Sequence, residues 1–147
     1  MLRGRSPAKI DEKGRLKVPA AFRALIEQQY GSQLFVTSLD EHQSVRIYPM
    51  PVWQEIERKL AALPTTLAAR NAFLETVNFN GQVCELDKQG RVLISPYLRE
   101  SAEIIGEVDV LGMNDYLEVW NHLKCVARRT SKRYSEQDAE ALSKFGI

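Results

Sequence analysis

The sequence predicts an α+β, mainly β fold: a pseudo-two-fold body built from two tandem repeats and flanked by short helices. Three observations lead there. Residues 10–23 and 86–99 share one pattern, so that with Gly90 placed over Gly14, 76 residues away, Asp11, Gly14, Arg15 and Arg23 meet Asp87, Gly90, Arg91 and Arg99. The apolar positions coincide as well, with Ile10, Leu16, Val18 and Phe22 over Leu86, Val92, Ile94 and Leu98. Both copies continue into short runs of β-forming residues separated by turn residues. A repeat this long exceeds a solenoid unit and fits a duplicated half-domain, with the division at residues 1–77 and 78–147.

In the first copy, segments 7–11 and 14–18 flank Asp11-Glu12-Lys13-Gly14. An Asp side chain bonds the backbone two residues on, and Gly takes the left-handed conformation freely, which predicts a tight hairpin closed by Gly14. Arg15 and Lys17 alternate with Leu16 and Val18, giving one buried and one cationic face. Pro19 suits the first turn of a helix, and Ala20 to Ile26 supply a short one with Arg23 near the basic loop. Leu34–Thr37 and Val45–Tyr48 read as strands around a polar turn. Pro49 and Pro51 stop the second, and a helix from Val52 carries Trp53, Ile56, Leu60 and Leu63 at helical spacing. Pro64-Thr65-Thr66 breaks it, and Leu67, Phe73, Leu74 and Val77 support another.

The second copy repeats the order. Val83–Leu86 leads into the turn Asp87-Lys88-Gln89-Gly90, and Arg91–Ile94 returns. Pro96 opens a short helix, and strands are predicted over 107–111 and 116–120. Trp120, Leu123 and Ala127 form a candidate packed stripe in a last helical region. Ser135 marks a further helix start, with Asp138 a weaker capping partner than Glu would be.

At 147 residues and 44% apolar content the chain is long enough for a packed core. No apolar run approaches the ~18 residues of a membrane span. Met-Leu-Arg-Gly-Arg lacks the apolar stretch of a secretory signal. Cys84 and Cys125 read as reduced thiols of a cytoplasmic protein. The net charge of +1 conceals segregation. Residues 1–23 carry seven cations against Asp11 and Glu12, a local +5, and residues 121–133 carry Lys124, Arg128, Arg129, Lys132 and Arg133 with no acid, another +5. Segregated cations steer polyanions. The competing reading of the second run is a solvated helix face.

Catalytic signals are lacking. His42 and His122 stand apart without a ligand cluster and read as surface residues, so no metal or cofactor is expected. No acid pair has catalytic spacing, Ser6, Ser32 and Ser38 lack a nucleophile elbow, and no phosphate-binding glycine loop occurs. Trp53 and Trp120 read as packing residues. The chemistry concentrates in the two Asp-x-x-Gly-Arg turns, where a rigid tip can offer a guanidinium to phosphate or guanine.

These turns, with Pro19 and Arg23 in the first copy and Ile94, Leu98 and Arg99 in the second, resemble the two signature motifs of the MraZ proteins of bacteria. Arg3-Gly4 and Tyr48-Pro49 followed by Trp53 resemble that family too, over residues 1 to about 123. The resemblance implies a tandem AbrB-like, swapped-hairpin barrel and assembly into closed rings. It further implies a nucleoid-associated, DNA-binding transcriptional regulator of the division and cell-wall genes, acting as a repressor on short direct promoter repeats. The partners implied are double-stranded DNA and further copies of the chain, without membrane or small-molecule substrate. Carried onto this chain, DNA contact falls on Arg15 and Arg91, with Lys13 and Lys17 at phosphates and Arg3 and Arg5 in the same basic segment. Asp11, Gly14, Asp87 and Gly90 shape the loops. Gln89 and Leu93 stand where the first copy has Lys13 and Lys17, so the second loop is less basic, with Lys88 in compensation. The rivals are an AbrB-like protein-interaction or antitoxin-type module and a non-specific nucleic-acid binder.

Overall fold

A computed structural model describes residues 1–147. Fourteen elements run in the order β1 (Arg5–Lys9), β2 (Arg15–Lys17), α1 (Ala20–Tyr30), β3 (Gln33–Thr37), β4 (Ser44–Pro49), α2 (Met50–Ala61), α3 (Ala68–Phe79), β5 (Gln82–Glu85), β6 (Arg91–Leu93), α4 (Pro96–Ser101), β7 (Glu107–Gly112), β8 (Leu117–Asn121), α5 (His122–Ser131) and α6 (Glu136–Ser143). The fold is α+β with antiparallel pairing throughout.

Six strands form one sheet in the order β1-β7-β8-β4-β3-β5, and β2 pairs only with β6. The order is a palindrome in terms of the two copies, with the pseudo-axis between β8 and β4. Each copy's first strand joins the other copy's strand pair: β1 lies on β7, and β5 lies on β3.

Two expectations are corrected here. The predicted closed barrel does not form, because β1 and β5 remain as unpaired edges. Pro7 lies on β1, where its missing N–H is tolerated only at a sheet margin. The predicted hairpin also opens: only its tip closes, through the Ile10–Leu16 bridge and Asp11 N–H donating to the Arg15 carbonyl at 3.0 Å. Beyond that the strands diverge, since each finds a longer ladder in the other copy.

Alternation along the strands divides the sheet into two faces. Leu34, Val36, Val45, Ile47, Val108, Val110, Leu117 and Val119 meet Leu16, Val92, Phe22, Ile26 and Leu98 in one continuous core. Each such fully buried aliphatic side chain stabilises by about 1.5–3 kcal/mol relative to exposure. The opposite face carries Phe35 and Tyr48 under α2, and Asp109 and Trp120 under α5. Trp53 stacks on Phe35 with ring centres 4.5 Å apart, and Phe73 from α3 extends the aromatic seam. The layers are therefore the β2–β6 ribbon with α1 and α4, then the sheet, then α2, α3 and α5.

Three details of the helices are instructive. The helix predicted from Val52 begins at Met50, because Pro51 sits in its first turn, where no N–H is needed. Leu123 is 76% exposed, so the predicted stripe fails; Cys125 is the buried residue of α5. Ser135 and Asp138 complete a reciprocal capping box despite the shorter acid. No helix is long and apolar enough to cross a membrane.

Candidate nucleic-acid interface

The two turns are near-superimposable in their bonding. Asp11 Oδ1 accepts from the backbone N–H of Lys13 and of Arg15, each at 2.9 Å. Its Oδ2 accepts from Arg15 Nε at 2.8 Å. In the second copy Asp87 Oδ1 accepts from Gln89 N at 2.9 Å and Arg91 N at 2.8 Å, and Oδ2 accepts from Arg91 Nε at 2.9 Å. Three donors on one carboxylate favour its charged form. The Arg15 backbone N–H is the main cause holding Asp11 below the ordinary carboxylate range, and that of Arg91 does the same for Asp87.

The arginines are thus ion-paired within their own turns, yet only through Nε. The Nη groups of Arg15 and Arg91 make no hydrogen bond in the protein, and the side chains keep 30% and 27% exposure. A guanidinium braced along one edge retains another for a bidentate partner, with less rotamer freedom to lose.

Pairing of β2 with β6 brings the two turns together. Arg15 lies opposite Leu93, Leu16 opposite Val92, and Lys17 opposite Arg91. Leu16 and Val92 point into the core, so Arg15, Lys17, Arg91 and Leu93 share the outward face. Arg91 Nη1 stands 3.9 Å from Asp11 Oδ2, across the boundary between copies.

Arg23, which the sequence placed near its own basic loop, and its counterpart Arg99 both cross to the other copy's turn. Arg23 Nη2 donates to the Lys88 carbonyl at 3.0 Å and Nε to Glu27 at 2.9 Å. Arg99 Nε donates to the Ile94 carbonyl at 2.9 Å, and its guanidinium covers Gly14. A Cβ on Gly14 would lie 2.4 Å from Arg99 Cζ, and one on Gly90 2.6 Å from Arg23 Cδ. Both glycines also have left-handed φ, +83° and +75°. Val18 N–H donates to the Gly90 carbonyl at 2.9 Å and Ile94 N–H to the Gly14 carbonyl at 3.0 Å, which ties each turn to the opposite strand.

The remaining basic residues lie elsewhere. Lys13 and Lys88 sit exposed at the turn tips. Arg5 is on the sheet face opposite the ribbon, lining a groove with Lys9, Asp109 and His122, and Arg3 lies beside Gly112 near the far end of β1. The basic run of α5 occupies that opposite face as well, and part of it serves the fold. Lys124 Nζ donates to the His42 carbonyl at 3.0 Å, and Arg128 donates to Gln43 at 2.8 Å while lying 5.0 Å from the centre of the Trp120 ring. His122 keeps 43% side-chain exposure, in keeping with the surface position expected, and its Nδ1 lies 2.8 Å from Oδ2 of the buried Asp109, a partner the sequence did not indicate. Their spacing carried no signal, because a strand residue and its partner on the helix packed against it have no fixed separation in sequence. Burial raises the pKa of both Cys84 and Cys125, which disfavours reactive thiolates. No group of three or more His, Cys, Asp or Glu is placed to hold a metal.

Fold and site define a class: duplicated α+β proteins whose copies exchange first strands and display a paired arginine ribbon. A family model described as "MraZ protein, putative antitoxin-like" matches residues 1–76 and 79–143, and the chain belongs to the MraZ family. It is 46% identical over 147 residues, the full length of both chains, to the protein named transcriptional regulator MraZ of Acidobacterium capsulatum. Its identity to the protein of that name from Koribacter versatilis is 46% over 149 residues, again covering both chains in full. To that of Moorella thermoacetica it is 39% over 141 residues, 94% of each chain.

Proposed function

We propose that this protein is a sequence-specific, DNA-binding transcriptional regulator without enzymatic activity, and that the β2–β6 ribbon enters the major groove. The observation that carries the reading is the proximity of the two arginine turns: one ribbon face holds Arg15, Lys17 and Arg91, with Arg91 Nη1 3.9 Å from the carboxylate that braces Arg15. The major groove admits a two-stranded ribbon, and arginine is the commonest reader of guanine there. Membership of the family and the name its relatives carry support the regulatory role.

The finer reading is a swapped-hairpin pair of repeats, residues 1–77 and 78–147, in a cytoplasmic, nucleoid-associated repressor of division and cell-wall genes. Copies assemble in a ring, so that short direct promoter repeats are bound together and avidity exceeds any single contact. Arg15 and Arg91 read bases, Lys17 meets phosphate, and Lys13 and Lys88 flank from the turn tips. Arg5, on the sheet face opposite the ribbon, drops from the contact set.

The test is a footprint on DNA upstream of the protein's own gene, with wild type and R15A compared. Protection of a discrete site by wild type and its loss in R15A is the expected result; equal protection by both ends the assignment. The family description and an exposed aromatic pair, Phe79 and Tyr97 with ring centres 5.6 Å apart, favour a second reading, a protein-docking module. Preference for promoter over random duplex at near-physiological salt separates the two, because charge attraction alone has no sequence ratio.

A further inference from the structure

The outward face of the ribbon is symmetric at every position but one. Arg15 and Arg91 are equivalent under the pseudo-two-fold, whereas Lys17 has Leu93 as its counterpart. Leu93 is 44% exposed, although a leucine is free to turn inward only at alternate positions and Val92 and Ile94 already fill those. Its neighbours on the ribbon's outward face are all cations. Arg15 lies directly opposite, Lys17 lies diagonally across, and Arg91 precedes it by two on its own strand.

An exposed apolar side chain flanked by three cations on its ribbon suits few partners. A protein partner would have to pair all three cations as it desolvated them, and the centre of a protein interface is poor in the Asp and Glu that could do so. A duplex offers both halves of what is needed: phosphates and guanine acceptors for the cations, and the thymine C5-methyl, the only apolar group on a major-groove base edge, for the leucine. We propose that Leu93 is a specificity-determining residue that packs on a thymine methyl beside the base read by Arg15, and so gives the ribbon a direction on DNA. The inference rests on the DNA-binding reading above. Lys17, at the equivalent place, meets a phosphate oxygen. The bound half-site is therefore unlike its own reverse complement, and the protein has one preferred orientation on it.

The experiment measures binding of the full chain, by fluorescence anisotropy, to the footprinted promoter duplex in which thymines are replaced one at a time by uracil, which lacks only the methyl. At one position wild type is expected to weaken about fourfold, the factor one buried methyl-sized group supplies. L93A is expected to bind the thymine duplex about fourfold more weakly and to ignore the replacement. L93K, which restores the residue type of the first copy, is expected to ignore it too and to steepen the salt dependence by about one unit of slope. Wild type that binds the promoter over random duplex yet responds to no thymine-to-uracil change overturns the inference and leaves the DNA reading standing. L93A that changes the sedimentation behaviour while retaining wild-type uracil sensitivity marks Leu93 as a protein contact and overturns it as well. Failure of wild type to prefer the promoter at all removes both.

Discussion

Arg91 Nη1 lies 3.9 Å from Asp11 Oδ2, the same oxygen that accepts from Arg15 Nε at 2.8 Å. One carboxylate thus serves the arginines of both copies, while Asp87 serves only its own. The symmetry of the motifs is broken in how they are braced. Removing Asp11 should loosen two guanidinium groups and removing Asp87 one. We expect D11A to weaken promoter binding more than D87A, in parallel anisotropy titrations. Equal losses would mean that the cross-copy contact does not orient Arg91.

Base readers and phosphate contacts differ in signature. R15A and R91A should each cost about 1–3 kcal/mol on the cognate duplex and relax specificity at one position. K17A should weaken all duplexes alike and lower the salt slope by about one. Titrations of cognate and scrambled duplexes at several salt concentrations check this.

Gly14 is required twice, by its φ and by the guanidinium over it. G14A should destabilise by about 1–2 kcal/mol, the cost of a left-handed residue bearing a Cβ, and push Arg99 aside. Because the first change already displaces that arginine, G14A and R99A should be less than additive in urea unfolding. Full additivity would show that Arg99 does not rest on this turn.

The turns should also shape the acid limb of stability. Asp11 and Asp87 have folded pKa values below the ordinary carboxylate range, chiefly through the backbone N–H of Arg15 and of Arg91. Their contribution is complete above that range. As pH falls the unfolded chain protonates first, so stability is lost progressively until pH drops through the lowered folded values. Chemical unfolding between neutral pH and strong acid should show a shallower decline for the double variant D11N/D87N than for wild type.

Much of this was legible in the chain. The Asp-x-x-Gly-Arg turns follow from local rules, because an Asp that caps its own loop and a glycine with positive φ act within five residues. The alternation of Leu16 and Val92 with Arg15 and Arg91 set the buried and outward faces for the same reason. Pro51 misled, because a proline that ends a strand and one that begins a helix look alike until the neighbouring carbonyls are located. His122 gave no sign of Asp109, since a contact between a strand and the helix on it has no characteristic spacing.

By itself, then, the sequence determined the duplication, the two turns, the inward-facing residues of each strand and the cations at each tip, all consequences of interactions short enough to be written in neighbouring residues. Only the tertiary structure decided that each copy lends its first strand to the other, that Arg23 and Arg99 cross to the opposite turn, and that Arg5 and the α5 cations lie behind the sheet. Those choices rest on which distant strand gives the longer ladder and the drier core, a competition settled by the whole chain at once.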